Sequence, residues 1–334
     1  MKILYIDTRA PGHNAELHVD FIRFMQSEKF CEIIPYGKNL EASFSNAIRA
    51  KDGSVSTQMD QVLLRHKPDA ILTYNKNGSS YSDLRDNINL YKWIDEEIAK
   101  IDLPKFHVTT DYCRSGFRAE QARWFEDLGY TAAIFRHRES LKYPCKIKSF
   151  WLPFSIDVSL YSKFNNQNYL SKRRKVSFLG TAFQNTDLYI NRVTAIKALK
   201  KKGLISTSSV IDKKTGQTQM ILGSGYQKFL SKHMFGLTCG GTCRYMTAKY
   251  FQIPASGSML VCSDTNGLDL FPKDTYIKYS VENIDQLCTD VEYYIKHRRE
   301  AREKAQALTR HVFENHNHFI RAEQLISFVK KMIN

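Results

Sequence analysis

The sequence predicts an α/β protein built as two consecutive domains, each a parallel sheet covered by helices. Three observations carry this. The chain has 334 residues, too many for one ordinary domain of ~100–200. Short apolar strands alternate with amphipathic helices, the pattern of a parallel sheet with crossover helices. That alternation restarts after a polar stretch near the middle of the chain. A composition of 43% hydrophobic and 25% charged residues is ordinary for a globular chain, so two domains of this size can each bury a core.

Residues 2–7 read as a short buried strand, bounded by Pro11 and Gly12. Residues 16–27 carry Leu17, Phe21, Ile22, Phe24 and Met25 at near-helical spacing. A helix over 56–66 precedes an apolar strand at 70–73, and a helix over 90–101 precedes another at 105–109. The stretch 151–169 holds Pro153 and the polar run 163–168, which places a domain boundary there. The second half opens with a strand at 175–179 that stops at Gly180, followed by a helix at 191–202. Further strands are expected at 259–262 and 276–279, and helices at 281–297 and 298–316. The expected division is an N-terminal domain 1–155, a linker 156–172, a C-terminal domain 173–314 and a helix 315–334 that returns to the first domain. No fixed-period repeat is present, which argues against a solenoid.

No run approaches the ~18 apolar residues of a membrane helix, and the N-terminus turns polar after six residues. Seven scattered cysteines, an odd number, fit free thiols in a reducing compartment. The expectation is a cytoplasmic protein, with peripheral contact at the inner membrane face as an extension of it. The formal net charge is +15, with basic clusters at 172–175 and 200–202. Such a surplus favours phosphorylated substrates, an anionic membrane face or nucleic acid, and equally a solvated surface. His233, Cys239 and Cys243 lack paired CxxC spacing and an evident fourth ligand, so no metal is expected. No GxGxxG follows the first strand, which disfavours a dinucleotide-dependent dehydrogenase.

Ligands of open parallel sheets bind beyond the carboxyl ends of the strands, and four such places carry chemistry. After the first strand, Gly12 permits a tight turn into a helix, and His13 is suited to proton transfer. After the strand at 105–109, Asp111 can take a proton from a hydroxyl or simply cap a helix. Tyr112 and Arg114 follow it as candidate acceptor contacts. After the strand at 175–179, Gly180 and Thr181 open a small-residue loop that lets backbone approach a diphosphate, with Arg192 in the next helix. The fourth place is the segment 247–258. Lys249 and Gln252 share one helical face there, where a cation can pair with phosphate and an amide can bond sugar hydroxyls. Ser256 and Gly257 close that helix, and Arg244 precedes it. From the residues alone, a ligand site and an ordinary amphipathic helix with a glycine stop both remain open.

The stretch AKYFQIPASGSMLVCSD, followed by Gly267-Leu268-Asp269-Leu270-Phe271-Pro272, resembles the donor-binding signature of CgeB-like GT-B glycosyltransferases. That signature reads roughly K-x-F-E-x-x-A-x-G-x-x-L-L before a D-L-F. The likeness extends over about residues 230–330 and is looser at WLPFSID and VSFLG. Thr110-Asp111 and the K-Y-F-Q at 249–252 also resemble the T-D and R-x-x-E motifs of phage DNA β-glucosyltransferases.

The resemblance implies a GT-B fold, two Rossmann-like domains facing across a cleft, and a UDP- or other NDP-sugar donor with no tightly bound cofactor and no metal. It implies that Lys249 contacts the donor diphosphate and that Gln252 stands where the family's glutamate binds ribose hydroxyls. Gly180, Thr181, Arg192, Arg244, Ser256 and Gly257 complete the implied donor site. Asp111, or His13, is implied as the base, with Gly12, Tyr112 and Arg114 on the acceptor side. The implied activity is sugar transfer to a hydroxyl acceptor, first an anionic or lipid-linked bacterial surface glycan. The alternatives are modified DNA, a protein, or a non-catalytic nucleotide- or glycan-binding module.

Overall fold

The computed structural model describes residues 1–7, 13–37, 40, 44–49, 55–74, 97–109, 118–143, 145–165, 168–180, 188–207, 210–211, 218–219 and 223–334. The chain forms two compact units, Met1–Pro153 with His318–Asn334, and Phe154–Asn317.

The first unit is a seven-stranded sheet of β1 (Lys2–Ile6), β2 (Glu32–Gly37), β3 (Ile48–Arg49), β4 (Ala70–Tyr74), β5 (Lys105–Thr109), β6 (Ala132–Phe135) and β7 (Lys148–Trp151). Their order is β3-β2-β1-β4-β5-β6-β7, with every neighbouring pair parallel. Successive strand residues point to opposite faces, and both faces here are apolar. Ile3, Tyr5, Ile33, Leu72, Phe106 and Ile134 form one core with Phe21 and Met25 of the helix His13–Ser27. Leu4, Ile6, Ile34, Ile71, Ala133 and Phe135 form the other, with Met59 and Val62 of the helix Val55–His66 and Phe125 of the helix Arg118–Asp127. The terminal helix His318–Ile333 belongs to this unit, as expected. Its Leu325 and Val329 join the first core, and Phe328 stacks on Phe150 at 4.5 Å between ring centres.

The second unit holds β8 (Arg173–Phe178), β9 (Ile205–Thr207), the antiparallel pair β10 (Val210–Ile211) and β11 (Thr218–Gln219), β12 (His233–Thr238), β13 (Met259–Ser263) and β14 (Tyr276–Tyr279). The main sheet runs β14-β13-β12-β8-β9, all parallel. Residues 156–172, expected as a linker, carry the helix Val158–Asn165 inside this unit. The Asp157 carboxylate accepts from the Ser159 amide at 2.8 Å and starts the helix, and Tyr161 is buried with Tyr226. Each large side chain so buried contributes roughly 1.5–3 kcal/mol of transfer free energy.

The helix Lys249–Ala255 lies directly on β12. Gly236 in the middle of that strand makes the approach feasible, since a Cβ there would meet Ile253 Cγ2 at 2.6 Å. Pro254 shortens the helix. Its last carbonyls are satisfied from outside: Ser256 Oγ donates to the Gln252 carbonyl at 2.8 Å, and Thr309 Oγ1 donates to that of Pro254 at 2.8 Å. Among the described residues no helix is long and apolar enough to cross a membrane.

Candidate functional site

In the second unit β8, β12 and β13 end on one edge of the sheet, and the residues just past those ends converge. Lys249, at the start of its helix, reaches the end of β8, where its ammonium donates to the Leu179 carbonyl at 2.5 Å. It stands 5.4 Å from the Phe178 ring centre, and the Arg192 guanidinium stands 5.7 Å from the same ring. Arg192 also lies over Tyr189 at 3.8 Å and bonds toward the buried Cys239 sulfur at the end of β12. Tyr189 and Tyr245 share a hydrogen bond of 2.9 Å between their hydroxyls.

Gly180 completes this group. Its φ is +138°, a conformation open to glycine and strained for other residues. A Cβ on it would stand 2.8 Å from the Lys249 ammonium. The backbone of residue 180 is therefore bare beside a cation, as close approach of an anionic ligand requires.

The electrostatics favour an anion. Lys249 is half-buried and makes no ion pair with a carboxylate among the described residues. Burial, and then the charge of Arg192, lower its pKa to about 8. A negative ligand would offset both by favouring the charged form. One helical turn on, Gln252 is 4% exposed, and its side-chain amide makes no hydrogen bond with a described residue.

The other expected donor residues are placed differently. Arg244, in a left-handed conformation with φ +52°, is half-exposed and bonded to the Asp264 carboxylate. Its carbonyl accepts from the Asn266 amide at 2.8 Å and from Thr265 Oγ1 at 2.7 Å, which joins the loop to the end of β13. Ser256 and Gly257 sit at the opposite end of the helix from Lys249, about 10 Å away at ~1.5 Å per residue. Their carbonyls accept from the ammonium of the buried Lys172 at 3.2 and 2.6 Å. Thr181 lies outside the described residues.

In the first unit His13 begins a helix, and its side chain is outside the described set. Gly12, Asp111, Tyr112 and Arg114 also lie outside it. The carboxyl edge of this sheet does gather polar groups that sequence reading missed. Arg136, directly after β6, is 4% exposed and donates to the Leu152 and Pro153 carbonyls at 3.4 Å each and to His18 Nδ1 at 3.2 Å. Burial pulls its guanidinium down to about 10. His18 packs on Tyr74 in a tilted pair with 3.7 Å between ring centres, and Tyr5 donates to the Asp7 carboxylate at 2.9 Å. The readable signal was positional: Asp7, Tyr74 and Arg136 all fall within one residue of a strand's carboxyl end. In the second unit the missed group is Cys239 with Gly240 and Gly241, a glycine pair at the end of β12. Among the described residues no cluster of three His, Cys, Asp or Glu is arranged to hold a metal ion.

Residues 203–327 match the family of glycosyl transferase-like proteins. No curated protein sequence matches the chain. Solved structures do resemble it. Anabaena HepE in complex with UDP-glucose has a TM-score of 0.68 at 11% identity, covering 99% of this chain and 100% of that one. An α-glucosyltransferase bound to UDP and a DNA 13-mer with an HMU base has a TM-score of 0.66 at 10% identity, covering 99% of each chain. A glycosyltransferase from Rickettsia africae has a TM-score of 0.66 at 9% identity, covering 100% of this chain and 98% of that one. At these identities the likeness is one of fold, two Rossmann-like units of the GT-B type.

Proposed function

We propose that the chain is a glycosyltransferase that takes its sugar from a nucleotide donor bound at the carboxyl edge of the second unit's sheet. The observation that carries this is Lys249: a half-buried cation, with no carboxylate partner among the described residues, beside the bare backbone of Gly180 and one turn from the Gln252 amide. It lies within the region that matches the glycosyl transferase-like family. The UDP and UDP-glucose carried by HepE support a uridine diphosphate sugar as the donor.

In this reading Lys249 and Arg192 hold the diphosphate, backbone at 180 and 181 approaches its oxygens, and Gln252 bonds a ribose hydroxyl. Arg244 and the Ser256-Gly257 turn set the loops around them. The acceptor oxygen attacks the anomeric carbon as the bond from that carbon to the diphosphate breaks. Asp111 takes the acceptor proton, with His13 as the alternative base and Gly12, Tyr112 and Arg114 as acceptor contacts. The charge that develops on the leaving diphosphate is stabilised by the two cations, so no metal is required. The transferred group is a hexose, and the acceptor is an anionic or lipid-linked glycan in the cytoplasm.

A DNA acceptor is the second reading, favoured by the DNA held by the α-glucosyltransferase neighbour. It requires binding that falls steeply with salt.

A thermal-shift panel of nucleoside diphosphates and their sugar conjugates tests the donor reading, because a ligand of the folded state raises Tm. UDP or UDP-sugars should raise Tm well above the shift given by uridine. A panel in which no nucleotide shifts the transition overturns the reading, and nucleotide binding without sugar transfer to any acceptor leaves the non-catalytic module.

A further inference from the structure

The positive charge of this protein is not spread along it. Between residues 158 and 263 there are sixteen Lys and Arg against two Asp and Glu, a surplus of fourteen, when the whole chain carries +15. The remaining two thirds of the sequence is therefore close to neutral. Of the described residues among the sixteen, Lys249, Arg192 and Arg244 stand at the edge assigned to the donor, which leaves most of the surplus without a task.

The fold gathers much of that remainder at the opposite edge of the same sheet, where its strands begin. Arg173, Arg174 and Lys175 open β8 with exposed side chains. The Arg173 amide bonds the carbonyl of the exposed Lys232, just before β12, at 2.8 Å. Lys200, Lys201 and Lys202 end the helix Ile190–Lys201 and are exposed. The bonds Leu204 amide to Leu199 carbonyl and Val176 amide to Leu204 carbonyl, both 2.8 Å, fix that helix end beside the start of β8. Arg298 lies close enough to act on the Tyr169 hydroxyl. Six residues of strand at ~3.3 Å each separate this rim from Gly180 by about 20 Å, so it is not an extension of the donor site.

One apolar side chain interrupts the rim. Leu170 is 41% exposed, two residues before Lys172, while its neighbour Tyr169 is buried and donates to the Met234 carbonyl at 3.1 Å. The short turn Tyr169–Ser171 thus holds a leucine outward directly before the basic run 172–175. Cations around a projecting aliphatic group match an anionic bilayer surface, in which headgroups meet the charges and the leucine enters the acyl boundary. Single-stranded nucleic acid would instead call for exposed aromatic platforms, and the residues of this rim, 170–175, 200–202 and 232, include none.

We propose that the rim formed by Leu170, Arg173, Arg174, Lys175, Lys200, Lys201, Lys202 and Lys232 is a docking surface for an anionic phospholipid leaflet. It is separate from the donor site and holds whether or not that assignment does.

Vesicle co-sedimentation of the full chain tests this with neutral phosphatidylcholine and with phosphatidylcholine containing phosphatidylglycerol. The protein should sediment with the anionic vesicles and stay in solution with the neutral ones. Each Lys or Arg near an anionic surface accounts for about a fivefold change in affinity, so Arg173→Gln/Arg174→Gln/Lys175→Gln should weaken sedimentation by roughly 100-fold. Leu170→Ser should weaken it further. Lys29→Gln/Arg65→Gln/Lys67→Gln, three exposed charges of the first unit, should leave it unchanged. All variants are read alongside their Tm, which shows that they fold. Equal loss in the two triple variants, absence of anionic-vesicle binding, or tighter binding of duplex DNA than of vesicles at the same salt would each overturn the proposal.

Discussion

The Lys249 ammonium stands 2.8 Å from the point that a Cβ on Gly180 would occupy, and Gly180 itself has φ +138°. Two independent constraints therefore meet at one position. Gly180→Ala should cost roughly 1–3 kcal/mol of stability from backbone strain. It should also weaken UDP binding, because the methyl displaces the ammonium from the anion's approach. Denaturant unfolding and calorimetric titration read the two effects separately. A variant that loses stability but keeps full UDP affinity would separate Gly180 from the ligand site.

The lowered pKa of Lys249, about 8, gives the donor site a pH signature. Below that value the free protein carries the charge, and as pH rises through it the charge is lost. UDP affinity should accordingly decline above pH about 8. A bound diphosphate keeps the lysine protonated, so binding between that pH and the ordinary lysine value of 10.5 should take up protons. Calorimetry in buffers of different ionisation enthalpy measures the uptake. Lys249→Met should abolish it and weaken UDP roughly 10- to 150-fold, for a charged hydrogen bond of about 1.5–3 kcal/mol.

The role given to Gln252 predicts discrimination at the ribose. With an amide bond to a ribose hydroxyl of about 0.5–1.5 kcal/mol, UDP should bind roughly 2- to 12-fold tighter than 2′-deoxy-UDP. Gln252→Met should erase that difference and leave the affinity for inorganic pyrophosphate unchanged. Equal discrimination in the variant would move the ribose contact elsewhere.

Much of this was legible beforehand, and the failures have identifiable causes. The strands at 105–109 and 276–279 are rich in aromatic and β-branched residues and read at their observed limits. β12, at the centre of the second sheet, was missed because His233 and Gly236 interrupt its apolar run. Gly236 is there for Ile253, a tertiary partner that periodicity does not reveal. β2 was missed because Pro35 argues against a strand. β3 adds bonds only at Tyr36 and Gly37, so the outer side of β2 at Pro35 has no ladder to break. At the site, Lys249, Gly180 and Arg192 were each read from local chemistry, and the fold brings them to one ring, Phe178. Cys239 was weighed only as a metal ligand, since nothing in its spacing announces a nearby arginine.

Lys172 supplies a stability prediction with a defined sign. Its ammonium is buried against the Ser256 and Gly257 carbonyls, and burial lowers its pKa to about 7 from 10.5. Between those values the unfolded chain holds a proton that the folded protein has released, so this residue's contribution to stability rises with pH across that window. Below pH about 7 both states are protonated and the full desolvation cost remains. The stability of the wild type minus that of Lys172→Met should therefore climb between pH 7 and 10.5, by up to about 1.4 kcal/mol per pH unit. A difference that is flat with pH would mean that the lysine is not desolvated at this helix end.

Gly236 and Ile253 should behave as a coupled pair, because the helix that carries Lys249 and Gln252 rests on β12 through their contact. Gly236→Ala inserts a methyl 2.6 Å from Ile253 Cγ2 and should cost about 1–3 kcal/mol by overpacking. Ile253→Ala alone should cost roughly 2–5 kcal/mol, since it empties a fully buried site. The double variant should lose less than the sum of the two, because the new methyl enters space that the isoleucine vacates. Ligand affinity adds a second readout. Gly236→Ala lifts the helix and should weaken UDP binding, although position 236 is in mid-strand, away from the ligand edge. Relieving the clash with Ile253→Ala should restore part of that affinity even as stability stays low. Additive losses in both stability and UDP affinity would show that the seating of the helix does not depend on this contact.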